Sequence, residues 1–131
     1  MANYTKYLIE KLSLKAPIYA NIMLGNIAGA QADLLSIAAI TQALPTGALW
    51  GLGGIGNAQI SVTALAAAIA PAVRVGLEDN LWLNASRSRL ATNMDMIERV
   101  HQLAALSDRS IMKPDELRTR LHLANTSYAP A

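Results

Sequence analysis

A long segment almost without charge is the feature that most constrains how this chain can fold. Between residues 16 and 73 the only charged side chain is Asp33. A transmembrane helix needs about 20 predominantly apolar residues in succession. The candidate windows here are interrupted by Pro45, Asn57, Gln59, Pro71 and a cluster of glycines. Strands of a parallel sheet covered by helices also read as plain apolar runs. The segment therefore favours a covered parallel sheet over a membrane span.

Composition excludes several classes of protein. The chain has 131 residues, a net charge of +2 and no cysteine. That length suggests one domain, and so small a charge gives no reason to expect nucleic acid or a membrane surface as a partner. Without cysteine there are no disulfides and no thiolate metal ligands. The amino terminus shows no secretory signal, so we expect a cytoplasmic protein.

Helices and strands are predicted to alternate along the chain. Asp33 and Asn93 stand where they can cap helices, and Pro114 suits a first helical turn. We expect residues 124–131 to form a loose tail. The predicted helices cover residues 4–14, 34–44, 58–69, 94–106 and 114–123, and the predicted strands cover residues 16–24, 48–52 and 73–77.

The spacing of the three strands is that of βα units. They begin near residues 18, 49 and 73, which are 31 and 24 residues apart. Such units build either a doubly wound sheet or a (β/α)8 barrel. A whole barrel needs roughly 250 residues, and an isolated three-stranded sheet leaves two unpaired edges. The barrel interpretation therefore requires that this chain be only part of one.

A glycine motif follows the second predicted strand. Gly51, Gly53 and Gly56 give the pattern G-x-G-x-x-G, and Glu78 follows Gly56 by 22 residues. This spacing matches the dinucleotide-binding fingerprint, in which a helix N-terminus faces pyrophosphate and the acid binds ribose. A tight turn without any ligand explains the same glycines.

A charged motif, VRVGLEDN at residues 73–80, occupies the third predicted strand. Alternation would place Arg74, Gly76 and Glu78 on one face, with Asp79 and Asn80 at the carboxyl end, where barrel enzymes hold their catalytic groups. Charges on an interior face must be paired or bound to metal. Glu78 as a cation ligand with Asp79 as a base is one interpretation. An Arg–Glu ion pair with an Asp that caps a turn is the other.

The chain resembles the β-keto acid cleavage enzymes, the family that includes 3-keto-5-aminohexanoate cleavage enzyme. The similarity covers almost its whole length, and VRVGLEDN is its most specific part. The segments that carry it are YANIMLGNIAGAQADLL (19–35), LPTGALWGLGGIGNAQ (44–59), VRVGLEDNLWL (73–83), RLATN (89–93) and MKPDELR (112–118).

This resemblance implies a zinc-dependent (β/α)8 barrel. The family reaction is a retro-Claisen acyl transfer, in which a β-keto acid and acetyl-CoA give acetoacetate and a new acyl-CoA. Glu78 would correspond to a zinc ligand, Asp79 to the base and Arg74 to the residue that orients them. The expected contacts to substrate or coenzyme A are Gly53, Gly54, Asn80, Arg87 and Arg89.

The resemblance also implies that part of the barrel is missing. The family's other two zinc ligands are histidines of an early H-x-H motif, and His101 and His122, which are 21 residues apart, do not match it. We therefore expect strands six to eight of a barrel, inactive alone, with two histidines supplied by an absent amino-terminal part and a homo-oligomer when complete. A dinucleotide-binding module and a noncatalytic interaction fragment are the alternatives.

Overall fold

Helices and strands alternate in the computed structural model, which describes residues 2–15 and 17–123. This confirms the predicted order of elements. The strands are β1 (Tyr19–Leu24), β2 (Leu49–Gly54) and β3 (Ala72–Arg74), and the helices are α1 (Ala2–Leu12), α2 (Leu34–Ala43), α3 (Gln59–Ile69), α4 (Asn93–Leu106) and α5 (Pro114–Arg120), with a short 3₁₀ turn at Gly56–Ala58.

The three strands form one parallel sheet in the order β1-β2-β3. Tyr19 pairs with Leu49 at one end of the β1–β2 ladder, and Leu24 pairs with Gly54 at the other. β3 contributes a shorter ladder, in which Gly53 is opposite Arg74. All three carboxyl ends consequently lie at the same edge of the sheet.

One face of the sheet forms the hydrophobic core. Leu24 and Leu52 are completely buried there, and α2 and α3 cover them with apolar side chains; the buried cluster comprises Ile22, Leu24, Ile37, Leu52, Val62, Ala66 and Ala70. Successive strand residues point to opposite faces, so the other face carries Asn21, Met23 and Arg74. Asn21 is exposed. The sheet therefore has one apolar, helix-covered face and one polar, partly open face.

Polar side chains fix the starts of α2 and α4. Asp33 caps α2 as predicted, because its carboxylate accepts the backbone N–H of Ser36 at 2.8 Å. That hydrogen bond lowers the pKa of Asp33, so the cap is ionised at neutral pH. For α4 the predicted cap is off by one residue: Thr92 is the N-cap, and it forms a capping box with Asp95.

Two strand ends differ from the prediction. β2 continues through Gly54, two residues beyond the predicted end at residue 52, because pairing with β1 keeps Gly53 and Gly54 extended. β3 ends at Arg74 instead of residue 77, and a turn follows. The predicted tail, residues 124–131, lies outside the described residues. Among the helices that are described, none is long and apolar enough to cross a membrane.

Candidate functional site

The candidate site is formed where two loops meet at the carboxyl edge of the sheet. One loop follows β2 and leads into α3, and the other follows β3. The backbone N–H of Gly56 in the first donates to the carbonyl of Asp79 in the second at 2.7 Å. Within the second loop, the N–H of Asp79 donates to the carbonyl of Gly76 at 3.1 Å. These bonds fix the residues after β3 against the end of β2.

Three charged residues form a cluster at the end of β3 and in this second loop. Arg74 Nη2 donates to Glu78 Oε1 at 2.8 Å, and Arg74 Nε lies 3.4 Å from Asp79 Oδ2. The side chain of Glu78 is 63% exposed, whereas that of Asp79 is 8% exposed. One arginine thus holds a solvent-facing carboxylate and a nearly buried one side by side.

The geometry of this cluster corrects one detail of the sequence argument. Glu78 lies in a turn and not on an extended strand, so Arg74 and Glu78 do not meet by strand alternation. They meet because the turn brings Glu78 back over the end of β3. The predicted ion pair and the turn at Asp79 are both present, and neither of them excludes a catalytic use of the carboxylates.

Gly76 provides the space that the Glu78 carboxylate occupies. A Cβ at residue 76 would lie 2.7 Å from Glu78 Cδ and 2.8 Å from its Oε1. Real Cβ atoms do not approach other atoms so closely, so a side chain at this position would displace the carboxylate. The absence of a side chain at Gly76 therefore allows the Glu78 carboxylate to lie against the backbone there.

Gln59 holds the loop after β3 through side-chain hydrogen bonds, and the sequence analysis did not identify it. It is 2% exposed at the start of α3, and its Nε2 donates to the carbonyl of Gly76 at 3.1 Å. Its Oε1 accepts from Asn80 Nδ2 at 3.5 Å. A buried glutamine must satisfy its amide, and Gln59 does so by binding the loop after β3. The available signal was one polar residue opening an alanine-rich apolar helix.

Asn80 mainly stabilises the following loop through hydrogen bonds to its backbone. Its Nδ2 donates to the carbonyl of Trp82 at 2.9 Å, and its Oδ1 accepts the Trp82 N–H at 3.2 Å. Both ends of the carboxamide are therefore committed to the protein. A contact of Asn80 with substrate or coenzyme A remains a prediction.

Arg87 and Arg89 differ in their partners, although only two residues separate them. Arg89 Nη2 forms an ion pair with Asp95 Oδ1 at 2.9 Å, next to the capping box of α4. Arg87 Nη2 instead donates to the neutral carboxamide of Asn57 at 2.6 Å. The charge of Arg89 is therefore paired with a carboxylate within the fold. Among the described residues, no carboxylate lies within 4 Å of Arg87.

The glycines of the G-x-G-x-x-G motif do not all lie in a loop after the strand, as the dinucleotide-binding alternative would require. Gly51 and Gly53 lie within β2, so two of the three fingerprint glycines are strand residues. A Cβ at Gly53 would meet Met23 Sδ at 2.9 Å, and one at Gly54 would meet the Ala58 carbonyl oxygen at 2.6 Å. Close packing explains both glycines. Their predicted contacts to substrate or coenzyme A remain predictions.

Tyr19 lies on the open face at the first residue of β1, towards the amino edge of the sheet. Burial raises the pKa of its phenol, and the positive charge of Arg74 opposes that shift. Its hydroxyl lies 2.9 Å from the place where a Cβ on Gly51 would stand. Tyr19 is therefore protonated at neutral pH and keeps a hydrogen-bond donor on the open face of the sheet.

One cavity lies away from this chemistry. It has a volume of about 400 Å³ and is lined by residues at the amino ends of the strands, such as Leu49 and Ala72, together with Arg109 and Met112 from the α4–α5 connection. A smaller cleft of about 270 Å³ lies beside the candidate site and includes Asn80. Because parallel-sheet enzymes bind their ligands at the carboxyl edge, the smaller cleft is the better candidate for a ligand-binding site.

The described residues provide only part of a zinc site. Structural and catalytic zinc sites use three or four protein ligands, and residues 2–15 and 17–123 contain no group of three His, Cys, Asp or Glu side chains that could hold a metal. His101 and His122 are exposed on α4 and just after α5. Glu78 fits the part of a single ligand, because its carboxylate faces solvent. A complete site would need donors from elsewhere.

Comparison with known proteins decides the family. Residues 1–123 match the family described as beta-keto acid cleavage enzyme. The chain belongs to this family. The predicted resemblance is thereby confirmed.

Three curated relatives show how much of a family member is present. The chain is 35% identical over 112 residues to 3-keto-5-aminohexanoate cleavage enzyme of Fusobacterium nucleatum, an alignment that covers 84% of this chain and 39% of that protein. It is 29% identical over 120 residues to 3-dehydrocarnitine:acetyl-CoA trimethylamine transferase of Rhizobium meliloti, covering 92% and 39%. It is 25% identical over 117 residues to the cleavage enzyme of Acetoanaerobium sticklandii, covering 89% and 42%. The chain thus spans about two fifths of the length of these relatives.

Proposed function

We propose that this chain carries the catalytic carboxylates of a β-keto acid cleavage enzyme. In the proposed reaction, a β-keto acid and acetyl-CoA exchange acyl groups. The bond between the keto carbon and the carbon next to the carboxylate breaks, and a new bond joins that two-carbon carboxylate fragment to the acetyl group. The products are acetoacetate and the acyl-CoA of the remaining fragment.

The observation that carries this proposal is the cluster of Arg74, Glu78 and Asp79 at the carboxyl edge of the sheet. Family membership supports the reaction class, and the relative from Rhizobium meliloti has acetyl-CoA in its name. Neighbouring carboxylates with different exposure suit different tasks. A solvent-facing one is accessible to a cation, and a nearly buried one is positioned for proton transfer.

We assign these tasks to particular atoms. Asp79 acts as the base, and Arg74 Nε holds its Oδ2 in place from 3.4 Å. Glu78 is the one metal ligand that this chain provides, and two histidines come from chain that is not present here. When bound, zinc supplies a Lewis acid that polarises a keto carbonyl. Arg74 also places positive charge beside both carboxylates and so limits their mutual repulsion.

The half-open sheet fits a partial barrel. We propose that β1, β2 and β3 are the sixth to eighth strands of a (β/α)8 barrel, and that the face with Asn21 and Arg74 lines its interior. The missing strands would pair with the free edge of β1 or β3. On this proposal the isolated chain is inactive, and the completed enzyme forms a homo-oligomer.

Complementation tests the proposed function. The chain is produced alone and together with the amino-terminal part of the Fusobacterium nucleatum relative, and acetoacetate formation from acetyl-CoA and 3-keto-5-aminohexanoate is measured along with zinc content. We expect activity only in the complemented protein. Glu78→Gln should lower both zinc content and turnover, whereas Asp79→Asn should lower turnover by about 100-fold or more with zinc retained.

A matched control uses an acidic residue outside the site. Asp115 lies exposed in the first turn of α5, and Asp115→Asn should leave zinc content and turnover unchanged. If both Glu78→Gln and Asp79→Asn turn over substrate like the unmodified protein, the catalytic assignment is wrong. The noncatalytic interaction fragment would then be the better account of this chain.

A further inference from the structure

The smaller cleft has the composition of an anion site. Its volume is about 270 Å³, and Arg87 is the one charged side chain that lines it. The cleft is defined by Gly56, Asn57, Ile60, Asn80, Trp82, Asn84, Ala85 and Arg87. We call it the arginine cleft. Its walls combine one cation, several amide groups and one indole ring.

The loop that carries Arg87 is preorganised by its own hydrogen bonds. Asn84 Oδ1 accepts the backbone N–H groups of Ser88 and Arg89 at 3.1 and 3.2 Å, and the N–H of Arg87 donates to the Asn84 carbonyl at 3.1 Å. Arg99 from α4 donates to the carbonyl of Leu83. These bonds fix the loop before any ligand arrives, so little ordering is needed for Arg87 to bind one.

Arg87 is held in an unusual conformation. Its backbone has φ +54°, which lies in the left-handed region. Residues other than glycine, asparagine, aspartate and histidine seldom adopt this backbone conformation. Its Nη2 reaches Asn57, 30 residues away at the start of the turn into α3, at 2.6 Å. The guanidinium is thereby held beside the 3₁₀ turn that leads into α3. A guanidinium presents several N–H donors in a planar fork, which suits the oxygens of a phosphate group.

We propose that the arginine cleft binds a phosphate group, and that in the reaction this phosphate belongs to coenzyme A. The assignment to coenzyme A rests on the proposed function. Arg74, Glu78 and Asp79 do not line the cleft. The carboxylate of a β-keto acid is two bonds from the reacting carbonyl and must bind near those residues. The phosphates of coenzyme A are remote from its thioester and need a separate site.

The proposal separates two arginines that the sequence treats alike. Arg89 is committed to Asp95, so only Arg87 should contribute to phosphate binding. Trp82 lines the cleft, whereas Trp50, the other of the two tryptophans, lines the larger cavity. The fluorescence of Trp82 therefore offers a local signal from the cleft. In a Trp50→Phe background, the emission reports on the cleft alone.

Titration of the 131-residue chain tests the proposal. Trp82 emission is followed while coenzyme A, inorganic phosphate or pantetheine, which has no phosphate, is added. We expect coenzyme A to bind and pantetheine to give no change. Arg87→Gln should weaken coenzyme A binding by about tenfold or more, as expected for the loss of a charged hydrogen-bond partner. Arg89→Gln, the matched control, should change the affinity by less than about twofold.

Two additional variants keep the test decisive if Arg87→Gln disturbs the loop. Asn57→Ala removes the acceptor that positions Arg87 and should weaken binding less than Arg87→Gln does. Glu78→Gln should leave coenzyme A binding intact, which separates this proposal from the proposed catalytic function. Unchanged affinity in both Arg87→Gln and Asn57→Ala, or equal binding of pantetheine, would overturn the phosphate site. Equal affinity for inorganic phosphate and coenzyme A would overturn its assignment to coenzyme A.

Discussion

Replacing Gly54 by alanine tests how closely α3 packs against the end of β2. A Cβ at this position would lie 2.6 Å from the Ala58 carbonyl oxygen, 2.7 Å from Gln59 Cα and 2.8 Å from Ala58 C. All three are backbone atoms, so no rotamer change can relieve the contact. The start of α3 would have to move away from the sheet. Overpacking of this kind costs about 1 to 3 kcal/mol.

The neighbouring glycine is a matched control in the same strand. A Cβ at Gly53 would meet Met23 Sδ at 2.9 Å and Met23 Cε at 3.0 Å, which are the flexible end of a methionine side chain. Met23 can move at small cost. Exchanging glycine for alanine also lowers the conformational entropy of the unfolded chain, which stabilises the folded protein by about 0.4 to 1 kcal/mol. We therefore expect Gly53→Ala to lie close to the unmodified protein in stability.

Urea unfolding followed by circular dichroism measures the difference. Gly54→Ala should have a free energy of unfolding lower than that of Gly53→Ala by about 1 to 3 kcal/mol, with a similar slope against urea. Because Gln59 also holds the Gly76 carbonyl, movement of α3 should loosen the loop after β3 as well. Equal stability of the two variants would refute the argument that backbone contact at Gly54 sets the distance between α3 and β2.

Three further predictions address the core, the charged cluster and a helix cap. Leu24→Ala should lower the free energy of unfolding by about 2 to 5 kcal/mol in urea unfolding, because Leu24 is completely buried; a loss below 1 kcal/mol would contradict the described core. Glu78→Gln should change it by less than about 1 kcal/mol, because the ion pair with Arg74 is largely exposed, and a larger loss would point to a structural role. The Thr92 hydroxyl lowers the pKa of Asp95, so the stability that Asp95 contributes is present at neutral pH and is lost as the pH falls below about 4 through its folded-state pKa. Unfolding at a series of pH values should show a smaller loss in Asp95→Asn than in the unmodified protein, because Asp33 also has a lowered pKa and contributes in both.

Local sequence patterns predicted most of the secondary structure. Apolar runs broken by glycine and proline marked every strand, and Asp33 marked the start of α2. The end of β2 was wrong because Gly51, Gly53 and Gly54 lack side chains, so no alternation of polarity showed that the chain stays extended. The end of β3 was wrong for the opposite reason. The alternation in VRVGL continues past Arg74, but the carbonyl of Gly76 turns to meet Gln59.

The candidate site was predictable in its residue types and less so in its geometry. Arg74, Glu78 and Asp79 lie within six residues of one another, so the sequence alone indicated that they would meet. It could not show that Glu78 stays largely exposed while Asp79 is nearly buried. That difference depends on how the turn after β3 lies against the loop after β2.

By itself, the sequence determined the alternation of helices and strands, the parallel sheet that this alternation requires, and the family to which the chain belongs. These properties follow from local propensities and from short motifs. Only the tertiary structure decided that Arg89 pairs with Asp95 while Arg87 reaches Asn57, and that Gln59 supports the site. The contacts of Arg87 and Gln59 join residues 30 and 17 positions apart. They form because α3 packs on the sheet and brings its first turn to the carboxyl edge, an outcome that no local pattern specifies.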